Sequence, residues 1–216
     1  MHTAAARNPD LQKTQKSSIG QRGVKGFKMM EIYHSSIQLT GSYLGKDNPL
    51  PFFRSKSRSI PLRDMGLLPR ELEGFGYETG FRVLPYTMQD SYGRAAKEIS
   101  LQTFVLQNDC LKATFLPGYG GRLYSLFDIK NNRELLYINP VFQPANLALR
   151  NAWFSGGIEW NIGNFGHAYL TCSPVFFAVC RDGNGEEFLR MYEYERCKGF
   201  FYQIDFHLPD GSGILF

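Results

Sequence analysis

Phe200-Phe201-Tyr202-Gln203-Ile204-Asp205-Phe206-His207-Leu208 carries the clearest pattern in this 216-residue chain. Phe200, Tyr202, Ile204, Phe206 and Leu208 fall on one side of an extended strand, and Phe201, Gln203, Asp205 and His207 on the other. A period of two with one apolar side predicts a strand with one face on a core. Upstream, residues 175–180 and 187–194 flank Arg181-Asp182-Gly183-Asn184-Gly185, which reads as a hairpin loop. Downstream, residues 208–213 signal a turn, and Ile214-Leu215-Phe216 begin a returning strand. Three residues fall short of a usual strand. The expectation is a cut hairpin in a fragment, the alternative a short edge strand closing the domain.

The same grammar runs backward through the chain. Residues 101–106 and 111–116 are short apolar runs separated by Asn108-Asp109, with Leu111, Ala113 and Phe115 on one face. Residues 122–129, an Asn131-Asn132 turn and residues 134–138 follow. Residues 31–39 alternate loosely, and residues 41–61 are turn-rich, holding Asn48-Pro49 and Pro51. Only residues 68–74, with Pro69 near the start and Gly74 past the end, resemble a helical turn. There is no internal repeat. Many short strands joined by turns predict an all-β antiparallel sandwich or barrel.

Composition narrows the function. Hydrophobic residues make up 43% and aromatic residues 15%, enough for a sizeable core. The net charge of +4 is concentrated in residues 1–28, where Arg7, Lys13, Lys16, Arg22, Lys25 and Lys28 face only Asp10. That stretch reads as a flexible basic tail, and Met29 or Met30 is an alternative start. The rest is near neutral, with no basic stripe interleaved with aromatics, so nucleic acid is not an expected partner. No run is long enough for a membrane span, and no apolar signal opens the chain. Cys110, Cys172, Cys180 and Cys197 form no CxxC pair, so neither a zinc site nor any other cofactor is expected. Free thiols fit a reducing cytoplasm.

Two stretches carry candidate chemistry. Phe115-Leu116-Pro117-Gly118-Tyr119-Gly120-Gly121-Arg122-Leu123 reads strand, glycine turn, strand. Its glycines supply positive φ in a plain connection, or they aim Arg122 at a ligand groove. Residues 146–167, NLALRNAWFSGGIEWNIGNFGH, hold both tryptophans, Trp153 and Trp160. Asn146, Arg150, Asn151, Glu159, Asn161, Asn164 and His167 lie beside them. A pyranose offers an apolar C–H face to a ring and hydroxyls to amide, carboxylate and guanidinium groups. The opposing reading makes the tryptophans core, Glu159 the buried partner of an arginine, and His167 a loop histidine. His34 and His207 read as solvated, Glu193 and Glu195 as surface partners of Arg190, Arg196 and Lys198, and Cys110 and Cys172 as small core residues.

Residues 74–90 (GFGYETGFRVLPYTMQD), 111–128 (LKATFLPGYGGRLYSLFD), 133–167 and 189–196 (LRMYEYER) together resemble the DUF5107 type of domain within the galactose mutarotase-like (aldose 1-epimerase-like) superfamily. SGGIEWN is the most distinctive segment. The resemblance implies an antiparallel β-supersandwich with a sugar groove on one concave sheet, of which residues 29–100 are a lead-in and 101–216 the N-terminal half. It implies a saccharide ligand and ring-opening by a carboxylate base and a histidine acid. His167 best fits the acid; Arg122, Asn146, Arg150, Asn151, Trp153, Glu159, Trp160 and Asn161 fit substrate contacts. The base of that superfamily lies later in its domain, so this chain is expected to be incomplete and inactive. Relatives often carry helical repeats downstream. A sugar-acting enzyme domain, a non-catalytic sugar-binding module and a structural interaction domain therefore stand as readings.

Overall fold

The computed structural model describes residues 29–54, 82–91, 93–144, 154–162, 167–197 and 199–216. They form ten strands: β1 (Glu31–Gly41), β2 (Asn48–Arg54), β3 (Arg82–Met88), β4 (Lys97–Gln107), β5 (Leu111–Leu116), β6 (Arg122–Asp128), β7 (Arg133–Glu134), β8 (Phe176–Arg181), β9 (Glu187–Glu195) and β10 (Phe200–Phe206). Among the described residues there is no helix. The expected helical turn at residues 68–74 lies outside them. The strands make a five-stranded sheet ordered β1-β4-β5-β6-β7, a three-stranded sheet ordered β10-β9-β8, and a β2-β3 ribbon. All strand pairs are antiparallel.

The two larger sheets pack as a sandwich. On one face of the five-stranded sheet, Phe104, Leu106, Leu111, Ala113, Phe115 and Leu123 join Leu189, Met191 and Phe206 of the other sheet. Phe104 stacks on Phe177 at 5.0 Å between centroids, and Phe115 meets Phe206 at 4.5 Å. Burying a side chain such as Phe115 or Leu189 stabilises the fold by roughly 1.5–3 kcal/mol. The opposite face carries a second cluster of Ile99, Leu101, Leu116, Tyr119, Phe142, Phe154 and Cys172.

β2 and β3 are structure that local pattern does not reveal. β2 contains Pro49 and Pro51, and β3 contains Pro85. A two-stranded ribbon tolerates them because each strand has one unpaired edge, and the β2–β3 register shifts twice. Phe52, Leu84 and Tyr86 of the ribbon fill the first core. The Tyr86 hydroxyl donates to Glu195 Oε1 at 2.8 Å and accepts from Arg196 N at 3.0 Å. Glu195 is buried, so its expected role as a surface charge is overturned. Burial, backed by Glu195, holds the Tyr86 phenol well above its ordinary value. Arg190 pairs instead with Asp205 across β9 and β10, through two contacts of 2.7 Å.

Cys110 and Cys172 are buried, as expected, and none of the four cysteines forms a disulfide. Asn132 adopts the left-handed conformation its turn requires, at φ 50°. His34 is exposed against Phe104, as expected, whereas His207, expected to be solvated, is half-buried and stacks on Phe188 at 4.6 Å between ring centroids. Phe216 returns alongside β10, exchanging two 3.0 Å backbone hydrogen bonds with His207.

One irregularity aims the candidate site. Thr114 faces Ser125 across β5 and β6, but Phe115 faces Leu123, so Tyr124 is an extra residue in a β-bulge. Inserting one residue reverses the side-chain alternation beyond it. Without the bulge Arg122 would point into the first core; with it, Arg122 lies opposite Leu116, on the second face.

Candidate functional site

Gly156-Gly157-Ile158-Glu159-Trp160 runs beside β6 as a short extended piece. Ile158 and Leu123 exchange backbone hydrogen bonds of 2.9 and 3.2 Å. Gly157 N also donates to Tyr137 O at 3.0 Å. Gly157 has φ +66°, and a Cβ there would overlap the Leu123 carbonyl oxygen, so glycine is what allows the close approach. Alternation then sends consecutive side chains to opposite faces. Glu159 goes with Arg122, and Trp160 goes to the first core.

Arg122 anchors the arrangement. It is 3% exposed. Its Nη1 donates to Gly156 O at 2.5 Å, its Nη2 donates to Glu159 Oε2 at 3.0 Å, and its guanidinium lies 3.9 Å from the Phe154 ring centre. Its buried Nε has no hydrogen-bond partner among the described residues. Burial pulls the Arg122 pKa below its ordinary value, with the Glu159 charge opposing. Beside it, burial pushes the Tyr119 phenol up to about 12. Glu159, with 13% of its side chain exposed, meets His167 Nδ1 through Oε1 at 2.9 Å, and the His167 side chain is 36% exposed. The result is a relay from a buried cation through a carboxylate to an imidazole at the surface.

The expected site residues thus separate. Arg122, Glu159 and His167 converge. Arg122 is sealed from solvent, and Glu159 lies between it and His167. Trp160 donates its Nε1 hydrogen to Gly121 O at 2.9 Å and packs 5.4 Å from Phe206, which is the core role. Asn161 Oδ1 accepts from Ala168 N at 3.1 Å and ties the ends of residues 161–168 together. Asn146, Arg150, Asn151, Trp153 and Asn164 lie outside the described residues.

The face that carries Glu159 also holds a hollow of about 540 Å³. Tyr124, Phe127 and Ile37 line it with Gln107, Lys112 and Ser125. Tyr124 and Ile37 also pack against the cluster containing Phe154, so the hollow and the relay adjoin the same apolar patch. No motif marks this hollow, because its walls come from five strands that only the sheet brings together. Among the described residues, no group of three or more His, Cys, Asp or Glu could hold a metal ion. No helix among them is long and apolar enough to cross a membrane.

Residues 80–215 match the family described as "Domain of unknown function (DUF5107)". The chain belongs to that family. The match spans β3 to the end of the second sheet, and so includes the whole relay. The DUF5107 fold is also similar to a solved structure described as that of "a TPR-domain containing protein from Parabacteroides distasonis ATCC 8503", with a TM-score of 0.62 and 18% identity. The likeness covers 88% of this chain and 28% of that one, so the DUF5107 chain spans under a third of its neighbour's length.

Proposed function

We propose that this chain is a carbohydrate-binding domain of the galactose mutarotase-like kind, with the saccharide seated on the second face of the five-stranded sheet. The observation that carries the reading is the surface imidazole of His167, tied through Glu159 to buried Arg122 at 2.9 and 3.0 Å. A charged relay ending at solvent is costly to bury and suits proton handling. The adjoining hollow supports the same reading. Tyr124 and Phe127 offer rings to the C–H face of a pyranose, and Gln107, Lys112 and Ser125 offer polar partners to its hydroxyls. In a mutarotase-like reaction His167 would hand a proton to the ring oxygen, and a carboxylate would take one from the anomeric hydroxyl. A catalytic role makes the whole protein an aldose 1-epimerase-like or other sugar-acting enzyme; the binding role alone makes the domain a module.

Ligand-observed NMR with D-glucose, D-galactose and their methyl glycosides tests this. Binding to the chain, weakened at least tenfold by His167→Ala and by Tyr124→Ala, is expected. Faster anomeric exchange of the free aldoses, lost in His167→Ala, adds the enzyme reading. No binding of any of these sugars, with the fold intact by amide NMR, overturns the proposal.

The burial of Arg122 and the core packing of Trp160 favour a second reading. In it the relay only fastens residues 154–162 and 167–168 to the sheet, and the domain serves as an interaction scaffold. It predicts that Glu159→Gln lowers stability and changes no binding.

A further inference from the structure

Three side chains in a row have their hydrogen-bond directions determined by chemistry. Arg122 has only donors, and an ionised carboxylate has only acceptors. Arg122 Nη2 therefore donates to Glu159 Oε2 at 3.0 Å. Glu159 Oε1 in turn receives the hydrogen bond at His167 Nδ1, 2.9 Å away. A neutral imidazole carries one proton, and a carboxylate held against one nitrogen draws the proton to that nitrogen. We infer that Glu159 is a positioning residue, itself oriented by buried Arg122, which holds the proton of His167 on Nδ1, so that a proton the ring exchanges with a ligand passes through Nε2. The role of Nε2 toward a saccharide rests on the proposed function; the placement of the proton does not.

The orientation of Glu159 is built into the fold. Arg122 cannot turn away, because Gly156 O holds its other terminal nitrogen and Phe154 lies against its plane. The Tyr124 bulge and the Ile158–Leu123 pairing set the spacing of the two residues. The carboxylate is thus presented to His167 in one pose, as residues that hold a reacting group in place are in preorganised sites.

The isosteric substitution Glu159→Gln gives a sharp outcome. Arg122 would still require an acceptor, so it would take the amide oxygen. The amide NH₂ would then face His167, and two donors cannot meet. Nδ1 would have to become the acceptor, and the proton would move to Nε2. The row stays connected while its polarity at the imidazole reverses.

The test is long-range ¹H–¹⁵N NMR of the full chain with ¹⁵N-labelled histidine, at a pH where the rings are neutral. The chain has four histidines, so the His167 signals are assigned by their loss in His167→Gln. The wild type is expected to show a protonated Nδ1 and an unprotonated Nε2, and Glu159→Gln the reverse. A wild-type ring protonated on Nε2 overturns the inference, and that spectrum decides even if the variant does not fold. A folded Glu159→Gln variant that keeps the wild-type tautomer also overturns it. Adding D-galactose is expected to shift the Nε2 resonance more than the Nδ1 resonance. If the tautomers are as expected and neither resonance moves, the proton placement stands and only the role toward saccharide fails.

Discussion

Replacing Gly157 with alanine would pull the relay apart at its backbone. Gly157 sits at φ +66°, where an L side chain costs roughly 1–2 kcal/mol. The new Cβ would overlap the Leu123 carbonyl oxygen and lie 3.0 Å from Tyr124 Cα. Both are strand backbone atoms and cannot swing aside, so residues 156–159 must retreat by about 1 Å, enough to lose good hydrogen-bond geometry. That retreat breaks the two Ile158–Leu123 hydrogen bonds, at about 1 kcal/mol each. It also draws Glu159 away from Arg122 and leaves a buried cation poorly paired. The total is about 3 kcal/mol or more, a fall of roughly 6–12 °C in Tm for a chain of this size. Urea denaturation, followed by fluorescence, measures it. The control is Gly183→Ala, whose Cβ would meet nothing within 4 Å and should change stability by less than about 0.5 kcal/mol. If Gly157→Ala matches that control, the close approach of this segment to β6 is wrong, and the relay with it.

Two further outcomes follow from the rest of the fold. Tyr86→Phe removes the donor that meets buried Glu195 at 2.8 Å and should cost about 2 kcal/mol in urea titrations, the range for a hydrogen bond to a charged group; a loss under about 0.5 kcal/mol would mean the ribbon is not tied to β9 through this contact. The Asp205 carboxyl is held below its ordinary 3.8 by hydrogen bonds from Arg190 and by its charge. A carboxyl whose folded pKa is lowered adds stability above its unfolded pKa and loses it as pH falls through the folded value. Asp205→Asn should therefore flatten the acid limb of the stability curve, by no more than about 1 kcal/mol because the pair is partly exposed; an unchanged limb below pH 4 would show that the pair contributes nothing.

The strands were legible where one face is buried and the other wet. β10 shows it: Ile204 and Phe206 align with Met191 and Leu189, while Phe201 stays 83% exposed. Leu111, Ala113 and Phe115 were legible for the same reason. The ribbon was not, because prolines in β2 and β3 imitate turn signals and their tolerance depends on lying in a two-stranded unit. Nor was the Tyr86–Glu195 contact, which joins residues 109 positions apart. At the site, the density of polar and aromatic residues around Glu159 was visible, but not how the residues divide between two faces.

The sequence by itself determined that this chain is all-β and antiparallel and that Leu111, Ala113 and Phe115 share an inward face. It marked residues 115–123 and 146–167 as the stretches dense in glycine, aromatic and polar side chains. It did not foresee that Phe200, on the apolar side of β10, is exposed. A period of two and a set of turn residues are local properties, written in a few neighbouring positions. The tertiary structure alone decided that Arg122, Glu159 and His167 meet while Trp160 turns into the core. That outcome depends on one extra residue at Tyr124, which reverses the parity of β6, and on a glycine that lets another segment pair beside it. Parity is a count taken against a partner strand, and only the folded sheet supplies the partner.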